Sequence, residues 1–569
     1  MAGDALRWLA LLLLVSPQSI FAQDSPAKTV PVEEELIELR KLQEVSDWET
    51  ILRLVPTTDG SAELCFYRGM ALSRLQRWQS AREAFEAGRR KAPGDARFSR
   101  ELAGTLFQLK QFQEAKNSLR TALKLDARDS YTQTFLATLY FMEENFEAAL
   151  KYWNLSSGKP LVDQIVTSPQ LRVKPTLLDR AFAASPASQL LLKDYRNTQA
   201  WLDHLQIFTD YRLELRPKAG EQFDLLFQPL ERNGWGTRTD RLFSLVRSIP
   251  ELAAGLDFAN LKGQGINFES RVRFDPQKRR AFGVLSGPLG EHPSWRGRIY
   301  LDARKENWDL LRSYQGTAPL PGDLRLQRLA AGLELSNRVN WDWEWKGGLE
   351  VSYRDFHNPP SVSPESDGLF TSGLSLKYMA GVKKKLWDIP ERRFTLQSSA
   401  GFEAGKLFRH EAQQFTKLYG GMEAEWFPQA KGADYRVTAR FRAGHTGGDV
   451  PFDELFIFGL ERDNDLWLRG HVATEDRKRG SGFLGRDYLL YNWEMEKQIY
   501  GRALFNISLG PAVDTGKIYD KDNNFGSGVW LTDLGILLKA RFRKGVTIIL
   551  SYGKDLQTGR NAFYATTSR

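Results

Sequence analysis

The sequence predicts three modules in series: an α-solenoid of helical repeats, a small α+β domain, and a C-terminal transmembrane antiparallel β-barrel of about 16 strands. Three observations predict this. Small and apolar residues recur at a spacing of 34 within residues 33–157. Residues 161–232 mix helical and extended patterns around proline and glycine turns. From 242 to 569 the dominant period is two, apolar on one face and often charged on the other.

Bulk properties narrow the function classes. A chain of 569 residues is too long for one ordinary core. With 42% hydrophobic and 26% charged residues, long disordered stretches are not expected. The mean hydropathy of -0.43 argues against a helical membrane protein. It suits a barrel, whose strands alternate lipid-facing and lumen-facing residues and average out as polar. The net charge of +9 comes from scattered Lys and Arg rather than one basic stripe, so no nucleic-acid partner is expected. The single cysteine, Cys65, allows no intramolecular disulfide and reads as a small buried apolar residue.

Residues 1–22 read as a secretory signal peptide. Arg7 precedes the apolar run Trp8–Val15, then Ser16-Pro17 and a small-residue cleavage site at Ala22, with a bulky Ile20 upstream of it. No cysteine follows at the site, so a lipoprotein anchor is not expected. Beyond this segment no apolar run reaches the roughly 18 residues that a spanning helix needs.

Residues 33–157 are rich in Ala, Leu, Glu and Lys and poor in Pro and Gly, a helix-favouring composition. Gly69, Ala103 and Ala137 form one column; Ala81, Ala115 and Ala149 form another. Large residues fill three more: Leu72, Leu106 and Tyr140; Trp78, Phe112 and Phe146; Phe85, Leu119 and Trp153. Small residues let two helices cross closely, and large ones fill the gap beside them. This pattern resembles the tetratricopeptide repeat. Pro93 closes the first full repeat as that pattern expects, Ala127 stands there in the second, and Glu33–Val55 resembles a degenerate leading pair. The resemblance implies a concave surface for a peptide or a periplasmic accessory protein; bracing of the next module is the alternative.

In residues 161–232, Val162–Val173 reads as a strand interrupted by Pro169, and Pro175–Ala184 and Tyr195–Leu205 read as helices. Ile207–Leu215 and Glu221–Leu230 read as strands joined by the turn Pro217-Lys218-Ala219-Gly220. The β-α-α-β-β order resembles a POTRA domain, with Gln206 where that module usually has glycine. The resemblance implies a strand edge that receives client peptides by strand addition; a plain α+β linker domain is the alternative.

In residues 242–569, Ile266, Phe268, Val272 and Phe274 alternate with Asn267, Glu269, Arg271 and Arg273. Trp341, Trp343 and Trp345 alternate with Asp342, Glu344 and Lys346, and Leu349, Val351 and Tyr353 with Glu350, Ser352 and Arg354. Tyr435–Arg442 and Val546–Tyr552 continue the period. A soluble sandwich seldom places this much charge on one face, whereas a barrel turns charge inward and apolar groups to lipid. Closure also satisfies every backbone hydrogen bond in lipid. At roughly 20 residues per strand and connection, the segment holds about 16 strands.

The most specific stretch begins with Pro451-Phe452-Asp453-Glu454-Leu455-Phe456-Ile457-Phe458-Gly459 and leads to Leu468-Arg469-Gly470-His471. Asn492-Trp493-Glu494 and Gly510-Pro511-Ala512-Val513-Asp514-Thr515-Gly516 follow. This order resembles the BamA/TamA-type superfamily of outer-membrane assembly and translocation barrels. The resemblance implies that a long loop folds into the lumen with Arg469 and Gly470 at its tip, and that Glu494 and Asp514 on the inner wall receive the guanidinium. A buried guanidinium must be paired, and its planar fork suits carboxylates; glycine lets the tip turn where a side chain would collide. His471 replaces the usual Phe or Tyr, the acid-rich stretch Glu461–Asp465 is unusual, and the chain ends Thr-Ser-Arg rather than on an aromatic.

The six histidines, His204, His292, His357, His410, His445 and His471, show no metal-ligand spacing. No GxSxG, P-loop or HExxH motif occurs. Neither catalysis nor a cofactor is expected. The resemblance implies a bacterial outer-membrane factor with its N-terminal domains in the periplasm. It would capture unfolded outer-membrane or secreted polypeptide clients and insert or secrete them through the barrel, in contact with outer-membrane lipid. The alternatives are an exporter of polysaccharide or lipoprotein built from a tetratricopeptide arm and a barrel, and a structural outer-membrane scaffold.

Overall fold

The computed structural model describes residues 31–58, 60–156, 160–218, 222–235, 252–310, 313–315, 323–359, 368–408, 413–502, 505–542 and 546–568. The expected signal peptide, 1–22, and the first residues of the expected barrel, 242–251, lie outside the described residues. The chain divides into two compact units, Met1–Thr132 and Gln133–Arg569.

The first unit contains the helices Pro31–Glu44, Trp48–Leu54, Ala62–Arg74, Trp78–Lys91, Ala96–Gln108 and Phe112–Leu125. Three of them start on side-chain caps: Asp47 accepts from the Thr50 amide, Ser61 from the Leu64 amide and Asp95 from the Arg97 amide. The columns read from the sequence lie at helix crossings. A β-carbon on Gly69 would sit 2.5 Å from the ring of Phe85, so only glycine lets those helices approach. Ala81, Ala103 and Ala115 are fully buried, as is Cys65, whose thiol donates to the Thr58 carbonyl. A further column carried no glycine signal. The turns inside the helix pairs place Gln76 and Lys110 in the left-handed region, at φ 59° and 60°, and Glu144 repeats this in the second unit at 62°.

The second unit opens within the helix Ser130–Met142 and continues with Phe146–Trp153; Ala137 and Ala149 are fully buried there. The rings of Phe141 and Trp153 pack on Phe223 of a small sheet, at 5.8 and 5.2 Å. In that sheet Gln222–Glu231 lies centrally, parallel to Leu161–Thr167 and antiparallel to Phe208–Pro217. Helices Pro175–Ala181 and Leu192–Leu205 complete an α+β domain. The first strand ends at Thr167 rather than Val173, because Pro169 has no amide to continue the ladder. The first helix likewise stops at Ala181, short of Ala184. Gln206 ends the second helix at φ 56°, a left-handed position that explains why glycine is the more usual residue there.

Among the described residues fifteen wall strands, with Ala253–Ala254 and Asp257–Leu261 counted as one interrupted strand, run to Asn561–Ser568 and close into a barrel. The alternation sorts as the period predicts. Val351 and Tyr353 are 47% and 52% exposed on the outer face, while Ser352 and Arg354 between and after them are 2% and 1% exposed. Among the described residues no helix is long and apolar enough to cross a membrane. Trp341 lies outside the strands, in a turn, with the Arg196 guanidinium 4.4 Å from its ring.

The helix Leu192–Leu205 docks on the turns at one mouth of the barrel. Trp201 Nε1 donates to the Arg338 carbonyl at 3.1 Å, and the Arg296 guanidinium donates to the carbonyls of His204 and Leu205 at 3.1 and 2.9 Å. His204 Nδ1 lies 2.9 Å from the Pro293 carbonyl and Nε2 lies 3.2 Å from Ser336 Oγ. Burial holds this imidazole below its usual range. The same mouth receives the fourth helix pair, through Lys151–Glu391 at 2.6 Å and Asn145 Nδ2 to the Pro390 carbonyl at 2.8 Å. The opposite mouth holds an apolar core in which Trp308, Leu324, Phe356 and Phe415 from the wall meet Phe452 and Phe525 from connections.

Candidate functional site

Residues 449–486 join the strands Tyr435–Gly448 and Asp487–Gly501, and they fold into the lumen. Three groups of charged contacts hold this loop to different sectors of the wall. The first begins at the 3-10 turn Phe452–Glu454. Asp453 pairs with Arg354 at 3.1 Å and Arg328 at 3.3 Å. Glu454 pairs with Arg328, Arg354 and Lys377 at 3.3–3.4 Å, and its carbonyl accepts from Lys417 Nζ at 2.9 Å. Two adjacent acids are thereby matched to cations from four wall strands. Buried charges persist only in such company.

The second group involves the acid-rich stretch. Asp463 pairs with Arg273 at 2.7 Å, Arg280 at 3.1 Å and Lys278 at 3.3 Å, all from the first wall strands. Arg462 pairs with Asp275 on the same strands. Glu461 takes Arg479 at 2.7 Å; Arg479 also pairs with Glu306 and lies 4.1 Å from the Trp308 ring.

The third group is the tip. The structure brings Arg469, Glu494 and Asp514 together: the guanidinium pairs with both carboxylates, and the Arg469 amide donates to Asp514 Oδ2 at 3.0 Å. Arg469 is 1% exposed. Lys539 supports Glu494 from the far side at 2.7 Å, and Asn492 Nδ2 donates to Asp514 and to the Trp467 carbonyl. Leu468, fully buried, packs with Phe456, Phe458 and Tyr488. The Gly470 amide donates to Asp533 Oδ2 at 2.6 Å. His471 places Nδ1 3.1 Å from Asp533 and Nε2 3.6 Å from Asp555.

Glycine at 470 is required by space rather than by backbone angle. A β-carbon there would meet the Asp555 amide nitrogen at 2.5 Å and Asp533 Oδ1 at 2.7 Å. Two wall glycines, Gly535 and Gly553, face each other in register and form the floor under the tip. A β-carbon on Gly553 would come within 2.2 Å of the Arg469 carbonyl oxygen.

Sequence reasoning missed Asp533, Asp555 and this glycine floor, and it assigned no role to Asp453, Glu454, Asp463 or Arg479. The available signal was weak. Asp533 and Asp555 are acids at inward positions of strands, as many lumenal residues are. The stretch Glu461–Asp465 stood out only as unusual, and its partners lie about 190 residues away. The repeat residues Gly69, Ala81, Ala103, Ala115, Ala137 and Ala149 lie at helix contacts and take no part in this site.

Beside the docked helix the lumen retains a cavity of about 500 Å³, lined by both charge signs, among them Glu269, Arg296, Arg298, Glu334 and Lys383.

Residues 72–139 match the tetratricopeptide repeat model. That segment is a tetratricopeptide array. Comparison of the whole chain with the curated proteins finds no match. Among solved structures the chain is similar to CdiB from Escherichia coli, at 13% identity and TM-score 0.49, covering 72% of this chain and 77% of that one. It is also similar to CdiB from Acinetobacter baumannii, at 11% identity and TM-score 0.43, with 82% and 87% covered. A third is BamA from Haemophilus ducreyi lacking POTRA domains 1–3, at 12% identity and TM-score 0.41, with 72% and 85% covered. All three likenesses are at low sequence identity.

Proposed function

We propose that this protein is a bacterial outer-membrane factor that captures polypeptide clients in the periplasm and inserts or secretes them, working through its barrel wall rather than through a standing pore. The observation that carries this reading is the occupied lumen. An apolar core fills one mouth, and the loop 449–486 ties itself to early, middle and late wall strands by buried ion pairs. A passive pore keeps a polar, water-filled interior. Here the loop and an apolar core obstruct the interior between the remaining cavity and the opposite mouth, so passage requires a rearrangement of the loop or a parting of the wall.

The other modules take their roles from this. The repeat arm holds a client or an accessory protein on its concave face. The domain over residues 161–232 acts as a POTRA-like module, with Leu161–Thr167 and Phe208–Pro217 as the edge strands of its sheet. Either edge suits an extended peptide added as a further strand. Client folding and burial in lipid supply the free energy, with no cofactor and no catalysed reaction.

A second reading is favoured by one observation. The cavity of about 500 Å³ lies next to the docked helix and could serve as a vestibule for a polysaccharide or lipoprotein exporter. A purely structural scaffold has no comparable support. Depletion of the protein followed by quantitative proteomics of the outer membrane separates them. The proposed function expects specific membrane or secreted proteins to disappear. Loss of a surface polysaccharide alone, with the membrane proteome unchanged, would establish the exporter instead.

A further inference from the structure

We propose that His471, Asp533 and Asp555 form a binding site for a divalent cation with a preference for mixed nitrogen and oxygen donors, of which Zn²⁺ is the probe. The inference rests on the geometry of the loop tip and holds whichever client the barrel serves.

Charge balance is the first observation. Asp533 and Asp555 are 0% and 1% exposed. Among the described residues neither lies within ion-pair distance of an Arg or Lys; each is paired only with His471. The nearby guanidinium of Arg469 is taken by Glu494 and Asp514, and Lys539 by Glu494 and Glu496. A protonated imidazole would offset one of the two buried carboxylates and leave the other with neutral donors only, the Gly470 amide at Asp533 or the Gln557 and Thr558 amides and the Thr558 hydroxyl at Asp555. A divalent ion beside a neutral imidazole offsets both.

The second observation is an orphaned atom. Asp533 Oδ2 accepts from the Gly470 amide, but Asp533 Oδ1 is buried and has no hydrogen-bond partner. A buried carboxylate oxygen without a donor is uncommon and calls for a cation or another partner.

Geometry is the third. One ligand atom from each residue lies within 4.8 Å of the others. Asp533 faces His471 Nδ1 at 3.1 Å and Asp555 faces Nε2 at 3.6 Å; one ring lends a metal a single nitrogen, so an ion held on either draws the other carboxylate round to the roughly 3.4 Å that separates ligand atoms in a tetrahedral site with bonds of about 2.1 Å. One histidine and two carboxylates suit Zn²⁺ better than Mg²⁺ or Ca²⁺, which favour all-oxygen shells. The His471 side chain is 14% exposed, which gives the ion an access route.

The test uses the full chain folded in detergent, dialysed against chelator and then against Zn²⁺. The expected result is one Zn²⁺ retained per chain, lost in His471→Phe and in Asp533→Asn, with heat-modifiable gel migration showing that both variants still form a barrel. Co²⁺ added to the unaltered protein is expected to give the visible absorption of a tetrahedral ion, a readout independent of any variant. Two results would overturn the proposal: no Co²⁺ spectrum with no zinc retained, or equal zinc in His471→Phe. Tip protection that follows pH in the absence of any metal would assign the cluster to an imidazolium bridge only.

Discussion

The carbonyl oxygen of Arg469 lies over Gly553, where a β-carbon would approach it to 2.2 Å. The tip is therefore seated by shape as well as by charge. Gly553→Ala is expected to lift it, at a cost of about 1–3 kcal/mol, the usual range for overpacking a tight contact. Gly535→Ala meets the Tyr552 carbonyl oxygen at 2.9 Å and Arg469 Cδ at 3.1 Å, a milder overlap than the 2.2 Å at Gly553, and is expected to cost less. Limited proteolysis within 449–486 reads both; equal cleavage in the two variants would refute the floor as a seat.

Reversal of charge at the tip is the sharper test of its function. Arg469→Glu sets a third carboxylate against Glu494 and Asp514, both nearly fully buried. Breaking a buried pair of this kind costs about 3–5 kcal/mol, which is of the order of a typical net folding free energy. Client levels in the outer membrane should fall while the barrel itself remains inserted. Full activity in Arg469→Glu would remove the tip from the mechanism.

The loop is also held on the opposite flank, by Asp463 among Arg273, Lys278 and Arg280. Asp463→Lys places a fourth cation there and should free that limb while leaving the tip on Asp514. Planar-bilayer recordings should show more frequent open events than in the unaltered protein. Asp463→Asn, which keeps the shape and removes the charge, is expected to lie between the two. Conductance unchanged in both would mean that this flank does not gate the lumen.

Docking of the small domain should weaken in acid. The His204 imidazole is held neutral by burial, with its folded-state pKa below the usual value. A group depressed in this way costs nothing above its unfolded pKa of about 6.5. Below that pH the undocked form binds a proton that the docked form refuses, so docking is lost as the pH falls from about 6.5 towards the folded-state value. Protease sensitivity of 161–232 should rise over that window, and His204→Gln should flatten the dependence.

Much of the architecture was legible because it is periodic. A spacing of 34 located Gly69, Ala103 and Ala137 at helix crossings, and a period of two placed Glu350, Ser352 and Arg354 on the inner face. Arg469, Glu494 and Asp514 were legible through a family likeness, and the structure does join them. Other features were not, for physical reasons. Gln76 and Lys110 adopt left-handed turns without the glycine that usually signals them. Asp533 and Asp555 look like any lumenal acids until the fold brings His471 between them. Asp463 acquires meaning only from cations about 190 residues earlier in the chain, a separation that no local pattern reports.

That separation has a kinetic side. The loop touches Arg273 near the start of the wall and Asp555 near its end. It can seat fully only after both have been made and the wall has curled to bring them within reach. Long-range contacts of this kind form slowly, since the closure entropy must be met before they stabilise anything. Loop seating is therefore a late event in the barrel's own biogenesis. A nascent barrel that has not reached its last strands carries an unanchored loop, and resistance of residues 449–486 to protease marks the molecules that have finished.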